Sequence, residues 1–295
     1  MLYALKTAAS LAAGRRLCER RPPKALNSRP FAIPDRESAV PQPIDPAAAR
    51  EFCVRLLAAA SLFEVDAEPV ADALVWADRA GRPEDGLALL PSLLGKIESG
   101  VIDPRGRPLV LAEGPAVVRL DGSSGCGPVA AAEAVGLVAE RVVGAGVAAC
   151  FVKGGRDLGS PLHVANGIAD AGSLGVCVTA VVRNEPTLRL AAVAPGDGNR
   201  SCVEWSGAEL PAAVESLVAG VVGGHPLAAK PDATNPDVCE HAVFALDIEQ
   251  FGAAQRFRKV AGGTVPELSD AVELSDAARA ALVSAASAKG VEPLT

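Results

Sequence analysis

The sequence predicts an α/β protein in which an N-terminal helical bundle is followed by a mixed sheet covered by helices. Two observations carry that expectation. Apolar residues recur at helical spacing from about 45 to 100, and from 109 onward short β-branched runs alternate with helical stretches. A third bounds it: 295 residues at 49% hydrophobic content suffice for one large or two modest domains with a real core. Only 3% of residues are aromatic, so that core is built from Ala, Val and Leu.

Asp45 followed by Pro46 reads as an N-cap with proline at the first helical position, and Phe52, Leu56, Leu57 and Ala60 then repeat at helical spacing. A second helix covers about 66–80, with Val70, Ala73, Leu74 and Ala77 on one face, and a third runs from Ser92 to Ser99 before Gly100. Ala116 to Leu120 is a short β-branched run, and Pro128 to Val143 is helical. Val147 to Val152 and Gly175 to Val182 are continuous apolar runs that fit buried strands, separated by a helix from His163 to Ala171. Between Pro195 and Glu209 the chain passes in about a dozen residues, a length typical of a connecting loop. Beyond it come a helix from Glu209 to Val222, a polar loop from Lys230 to Glu240, a strand and turn from Ala242 to Phe251, and a helix continuing through 255–259. An Ala-rich helix over 275–289, closed by Gly290, ends the pattern. The expected organisation is therefore 1–44 tail and linker, 45–104 helical region, 105–208 α/β core and 209–295 helix–strand–helix region.

Composition excludes several function classes. A net charge of −7 with no long basic run beyond the N-terminus argues against nucleic acid as a partner. No apolar run approaches the ~20 residues of a membrane helix. Seven dispersed cysteines without a C-x-x-C pair read as reduced thiols, most of them small hydrophobes in apolar runs. The three histidines have no ligand-type spacing, so no zinc site is expected. The first 24 residues carry Lys6, Arg15, Arg16, Arg20 and Arg21 with no acid before Glu19, and Leu2, Leu5 and Leu11 among small residues. This is the composition of an amphipathic mitochondrial presequence; an uncleaved tail or a mistaken start codon gives the same pattern. Matrix or cytoplasm is the expected compartment.

Two frames stand out. The first is Ala77-Asp78-Arg79-Ala80-Gly81-Arg82-Pro83-Glu84-Asp85-Gly86, ending Leu90-Pro91; the second is Val152-Lys153-Gly154-Gly155-Arg156-Asp157-Leu158-Gly159. Both resemble stretches of the type 2 malate/L-lactate dehydrogenases, nicotinamide-dependent 2-ketoacid reductases unrelated to the Rossmann dehydrogenases. In that family the first frame reads roughly A-D-x-R-G-x-x-S-H-G, with the His as catalytic acid/base, and the second N-x-N-H-F-G. Here Glu84 and Asp85 stand at the Ser and His positions, and Asp157 at the second His. The family's substrate-binding Arg falls at Leu89, and its Thr-Asn after the central strand falls at Thr179-Ala180. Asp121-Gly-Ser-Ser-Gly125-Cys-Gly127 matches a D-G-x-x-G-x-G turn, and Ala242 to Phe251 matches the strand and turn h-F-x-A-I-D-P-x-x-F. The resemblance covers about 47–200 and 209–262, with a central block of the family missing between them.

The resemblance implies NAD or NADP as cofactor and homodimers whose subunits share active sites, or here a heterodimer with a full-length paralogue. Asp85 and Glu84 are then the candidate catalytic positions, and Asp157, Thr179, Gly125 and Gly127 line the substrate and cofactor region. The chemistry at those positions argues against the ancestral reaction. Reducing a 2-ketoacid needs a proton donor with a pKa near the working pH; His at ~6.5 suits this, whereas Asp at ~3.9 is ionised. Desolvation could keep Asp85 protonated, the route to an active reductase with rebuilt groups. Two adjacent carboxylates facing a substrate carboxylate at ~4 Å would repel by roughly 4 kcal/mol at an effective dielectric near 20. The expected reading is impaired or absent catalysis, a pseudoenzyme or regulatory subunit. Alternatively, Glu84, Asp85 and Asp157 could converge on a hard cation. The glycine-rich turn also satisfies G-x-G-x-x-A with Ala130, but no acid closes the second strand as a Rossmann site requires, so it is read as a structural turn. Arg156 and Arg200 lie in Gly-rich loops where a phosphate could sit.

Overall fold

Asp45 opens the helical region as its position demands: its side chain accepts the Ala48 N–H at 2.9 Å and Pro46 occupies the first helical position. The computed structural model describes residues 43–182, 186–196, 198, 200–207, 239–248, 250, 257, 261 and 263–294. Within them α1 spans Pro46–Ala59, α2 Glu64–Arg79 and α3 Leu90–Glu98. The helix at the far end of the sequence, α6 (Asp276–Lys289), is capped by the Ser275 hydroxyl and stopped by Gly290 at φ +67. Its Leu282 and Ala286 enter the same core as Phe52, Leu57, Val70 and Leu90. Each fully buried Leu there contributes about 1.5–3 kcal/mol relative to exposure.

Among the described residues eight strands form one sheet in the order β1-β2-β3-β7-β4-β5-β6-β8. They are β1 (Leu109–Glu113), β2 (Val117–Asp121), β3 (Val147–Gly155), β4 (Leu174–Val182), β5 (Pro186–Val193), β6 (Ser201–Gly207), β7 (Cys239–Leu246) and β8 (Gly263–Thr264). Among these strands only β2 and β3 pair in parallel, joined by the crossover helix α4 (Gly127–Ala145); every other pair is antiparallel. That pattern is a mixed sheet and not a Rossmann sheet. β7 sits between β3 and β4, and the shortness of its inward residues is why it fits: Ala242, Val243 and Ala245 are fully buried. Helices α4 and α5 (Pro161–Asp170) cover one face, with Ala134, Val138, Leu162 and Ile168 packed on Val118, Cys150 and Val243. On the other face Phe151 and Phe244 meet edge to face at 5.7 Å.

The link after Pro195, expected to be a bypass loop, is in part a strand. Ser201–Gly207 forms β6 and pairs with β5, and the sequence pattern announces neither strand. Arg189 and Glu204 hide their alternation, because each is turned toward an ion-pair partner on the loop after α2. The expected helix from Glu209 to Val222, the expected loop from Lys230 to Glu240 as far as 238, and the expected 255–259 helix apart from Phe257 lie outside the described residues, as do residues 1–42; Cys239 and Glu240, expected in that loop, instead open β7. The described cysteines at 53, 126, 150, 177, 202 and 239 are all buried, and none of them is in a disulfide. No helix among the described residues is long and apolar enough to cross a membrane.

Candidate functional site

The first frame begins on the last turn of α2 and continues through two short 3-10 turns, Pro83–Asp85 and Leu87–Leu89. Asp78 shapes this turn. One of its carboxylate oxygens accepts the Leu87 N–H at 2.8 Å, while the other is buried without a hydrogen-bond partner. A Cβ on Gly86 would overlap the same carboxylate, so the glycine is there to let Asp78 in. Burial pushes the Asp78 carboxyl up to about 6, with Glu84 adding to the rise and the Leu87 N–H opposing it.

Glu84 and Asp85 part company. Glu84 is exposed, whereas Asp85 is fully buried. Arg189, on β5, donates from its two terminal nitrogens to the two Asp85 oxygens at 2.9 and 2.5 Å, and its first nitrogen also reaches the Gly159 carbonyl at 3.4 Å. This forked geometry matches a guanidinium to an ionised carboxylate. The two adjacent carboxylates are thus set apart, one turned to solvent and the other paired with Arg189. Arg82 of the same frame pairs with Glu204 on β6. Two ion pairs therefore bind this loop to the β5–β6 hairpin.

The second frame carries the rest. Gly155 lies against His241 of β7, where a Cβ would come within 2.9 Å of the ring. His241 donates from Nε2 to the Arg156 carbonyl at 2.8 Å and accepts at Nδ1 from the Thr179 hydroxyl at 2.7 Å. The carbonyl can only accept, which fixes that tautomer. Burial lowers His241 to about 4, against the raising influence of Arg156 and Asp157. Thr179 and His241 are brought together by the β4–β7 register, and no spacing in the sequence points to the pair. The one signal available is a polar residue at an inward position of an apolar strand. A second histidine, His163 on α5, lies tilted against Trp76 with ring centres 5.2 Å apart and is likewise lowered by burial.

Asp157 turns back on its own loop, accepting the Gly159 N–H at 3.0 Å. It does not converge with Glu84 and Asp85 on a cation: one of those is exposed and the other holds Arg189. Among the described residues no group of three or more His, Cys, Asp or Glu could hold a metal ion. Gly125 and Gly127 serve close backbone packing. A Cβ on Gly125 would overlap the Gly106 carbonyl, and one on Gly127 the Asp157 carbonyl. Asp121 accepts the Ser123 N–H at 2.8 Å, and Ser123 and Ser124 take positive φ of 51° and 58°, so the turn is held by its own residues. Arg156 is buried and donates to the Val101 carbonyl at 2.7 Å; Arg200 holds Asp170 and Asn166.

Beside these elements lies a cavity of about 380 Å³, bounded by α2, α3, the start of α4 and the second frame. Leu89, Asp157 and Gly127 are in its wall, and Asp85 is not.

The sequence profile of the malate/L-lactate dehydrogenases matches residues 44–203. The chain is 32% identical over 128 residues to malate dehydrogenase of Pyrococcus abyssi, covering 43% of this chain and 35% of that protein. It is 31% identical over 119 residues to hydroxycarboxylate dehydrogenase B of Escherichia coli K12, covering 40% and 33%. The matched segment spans about a third of the length of these curated relatives. In fold it is similar to malate dehydrogenase from Pyrococcus horikoshii OT3, at a TM-score of 0.71 and 17% identity over 85% of this chain and 97% of that one. Sulfolactate dehydrogenase from Methanocaldococcus jannaschii gives 0.69 and 15%, over 85% and 98%. With both frames, the glycine-rich turn and the mixed sheet all in place, and more than half its length matched, this chain belongs to the malate/L-lactate dehydrogenase family.

Proposed function

We propose that this chain is a non-catalytic member of its family, one whose ancestral reacting centre has become an internal ion pair. The observation that carries this is the bidentate Asp85–Arg189 contact, with Asp85 wholly inaccessible. A proton donor must reach the substrate. Asp85 instead spends both oxygens on a guanidinium, which also argues against a protonated Asp85 and hence against a rebuilt reductase. Glu84, at the neighbouring position, faces solvent. Leu89 leaves an apolar wall where the resemblance implies a carboxylate-binding Arg.

The resemblance implies a nicotinamide dinucleotide, but the residues present do not fit one at the glycine-rich turn. The space a phosphate cradle would need beside Gly125 and Gly127 is filled by the Gly106 and Asp157 carbonyls. Arg156 and Arg200 are engaged within the fold. A homodimer, or a heterodimer with a full-length paralogue, is the proposed assembly. Val214, Leu217, Val218 and Val221, the faces expected to be covered by a second subunit, lie outside the described residues. Support comes instead from the edge strand β1, whose Leu109, Val110 and Leu111 are exposed. The basic stretch before residue 24 supports the mitochondrial matrix, with cytoplasm as the alternative. Fusion of residues 1–44 to a fluorescent reporter reads this out directly.

The test is a pair of measurements on purified protein. Oxidation of NADH or NADPH with pyruvate, oxaloacetate or 2-oxoglutarate should be absent; turnover above ~1 s⁻¹, near the low end of ordinary enzymes, refutes the proposal. Neither nucleotide should raise the melting temperature, because a ligand that binds only the folded state must do so. Light scattering should give a dimer mass, and a well-behaved monomer at micromolar concentration would remove the assembly.

A further inference from the structure

The cavity beside the altered centre is a built feature that the non-catalytic reading does not use. Its body is aliphatic: Val70 and Leu74 from α2, Leu89 and Leu93 from the segment leading into and along α3, and Ile102. Among the described residues no aromatic side chain lines it. Val70, Leu74 and Ile102 are buried, whereas Leu89 and Leu93 are partly exposed and Ser92 beside them is exposed, so the cavity opens at α3. At the ~30 Å³ a water molecule takes in the liquid, about 380 Å³ gives room for roughly a dozen heavy atoms. That size and an apolar lining with a few polar groups are the features of a small-molecule site. Three charged side chains border it, Lys96, Arg156 and Asp157, and all three are engaged within the fold. Arg156 donates to the Val101 carbonyl, and Asp157 accepts the Gly159 N–H. An ionised group on a ligand would therefore leave water for a wall whose ions already have partners, and such a transfer is costly.

We infer that this cavity binds a compact, uncharged aliphatic molecule, with its chain against Val70, Leu74, Leu89 and Leu93 and a neutral polar end, such as a hydroxyl, at the mouth beside Ser92. The inference rests on the non-catalytic reading, since no reaction is assigned to the ligand. Leu89 is central to it. At this position the resemblance implies a carboxylate-binding Arg; leucine withdraws the group a 2-ketoacid would need and offers its methyl groups to a hydrocarbon chain. Each methylene moved from water onto such a wall tightens binding by about fourfold. A short polar 2-ketoacid would leave the leucines in contact with water. A dinucleotide would exceed the volume.

The test uses the full chain and octan-1-ol as probe, with octanoate and octylamine as charged comparisons of the same length, followed by calorimetric titration and thermal unfolding without nucleotide. Octan-1-ol should bind saturably and raise the melting temperature by about 3–5 °C at tenfold above its Kd. Octanoate and octylamine should both bind at least about tenfold more weakly, because neither finds an unengaged counter-ion. Affinity should climb by about fourfold per methylene from butan-1-ol to octan-1-ol. Leu89→Arg, at a partly exposed position, should weaken octan-1-ol by about tenfold or more and admit octanoate, a reversal that a merely unstable variant could not produce. Leu93→Trp should fill the cavity and abolish octan-1-ol binding while keeping a cooperative thermal transition. No saturable octan-1-ol binding, octanoate or octylamine bound as tightly by the unaltered chain, or octan-1-ol binding unchanged in both variants overturns the inference. Nucleotide oxidation is measured separately. Activity with a 2-ketoacid would therefore remove the non-catalytic reading whatever octan-1-ol does, and absent octan-1-ol binding would remove the cavity assignment alone.

Discussion

Asp85 and Arg189 are 104 residues apart in sequence and meet in a forked ion pair in which the carboxylate is fully buried and the guanidinium side chain is 14% exposed. It joins the motif loop after α2 to strand β5. It also places a cation beside the position where the family resemblance implies a histidine.

Breaking that pair from one side should be costly. Asp85→Ala leaves a guanidinium in a poorly solvated seat, and a loss of about 3–5 kcal/mol is expected in urea unfolding. Replacing both members with apolar residues, Asp85→Leu with Arg189→Met, should recover most of the loss, because the desolvation of both charges goes too. Additive losses in the double variant would show that the pair is not coupled.

Restoring the histidine should not restore catalysis. Asp85→His would put an imidazole against Arg189 where a carboxylate was, and the apolar Leu89 would still face the substrate. Turnover with NADH and oxaloacetate should stay below ~1 s⁻¹, and the melting temperature should fall. Adding Arg189→Leu and Leu89→Arg removes the opposing cation and supplies a carboxylate-binding group. If Asp85→His alone gains turnover in a coupled assay, neither the cation of Arg189 nor the apolar Leu89 is what silences the site.

One partly buried acid and one buried base give opposite pH slopes. Asp78 is raised to about 6 from an unfolded value near 3.9, so the folded state holds its proton longer and stability falls as pH rises through that window. With allowance for its partial exposure this amounts to about 2 kcal/mol. His241 is lowered to about 4 from about 6.5, so its contribution is complete above 6.5 and lost as pH falls toward 4, by about 3 kcal/mol. Between pH 4 and 6 the two largely offset. Asp78→Asn keeps an acceptor for the Leu87 N–H and removes one slope. The variant should match or exceed the parent at pH 7 and lose stability more steeply below 6 in denaturant titrations. Parallel profiles for parent and variant would mean that Asp78 titrates normally.

Glycines in one helix should respond with opposite signs. Gly127→Ala drives a methyl into the Asp157 and Arg156 carbonyls, so the two loops must separate, and a loss of about 2–4 kcal/mol is expected. Gly136, farther along α4, has nothing within 4 Å of where a Cβ would sit, and Gly136→Ala should gain about 0.5–1 kcal/mol from helix propensity. Thermal unfolding of both variants checks this; a tolerated Gly127→Ala would mean that the turn is open enough to admit a ligand.

Local chemistry alone determined much of this protein. The Asp45-Pro46 start, the Gly290 stop, α2, α4 and the apolar runs at 147–152 and 175–182 are written in caps and periodicity, which depend on neighbours within a turn or two. The two frames and the replacement of histidine by Asp85 and Asp157 are equally local, and they carried the family resemblance. Tertiary structure alone decided the rest. Strands β5 and β6 were hidden because Arg189 and Glu204 break the apolar pattern for the sake of partners more than a hundred residues away. The place of β7 between β3 and β4, and with it the Thr179–His241 contact, follows from pairing register across the sheet. So does the division of labour between Glu84 and Asp85. Adjacent in sequence and alike in chemistry, they are separated by which one the fold turns inward, and that depends on where the chain later delivers an arginine.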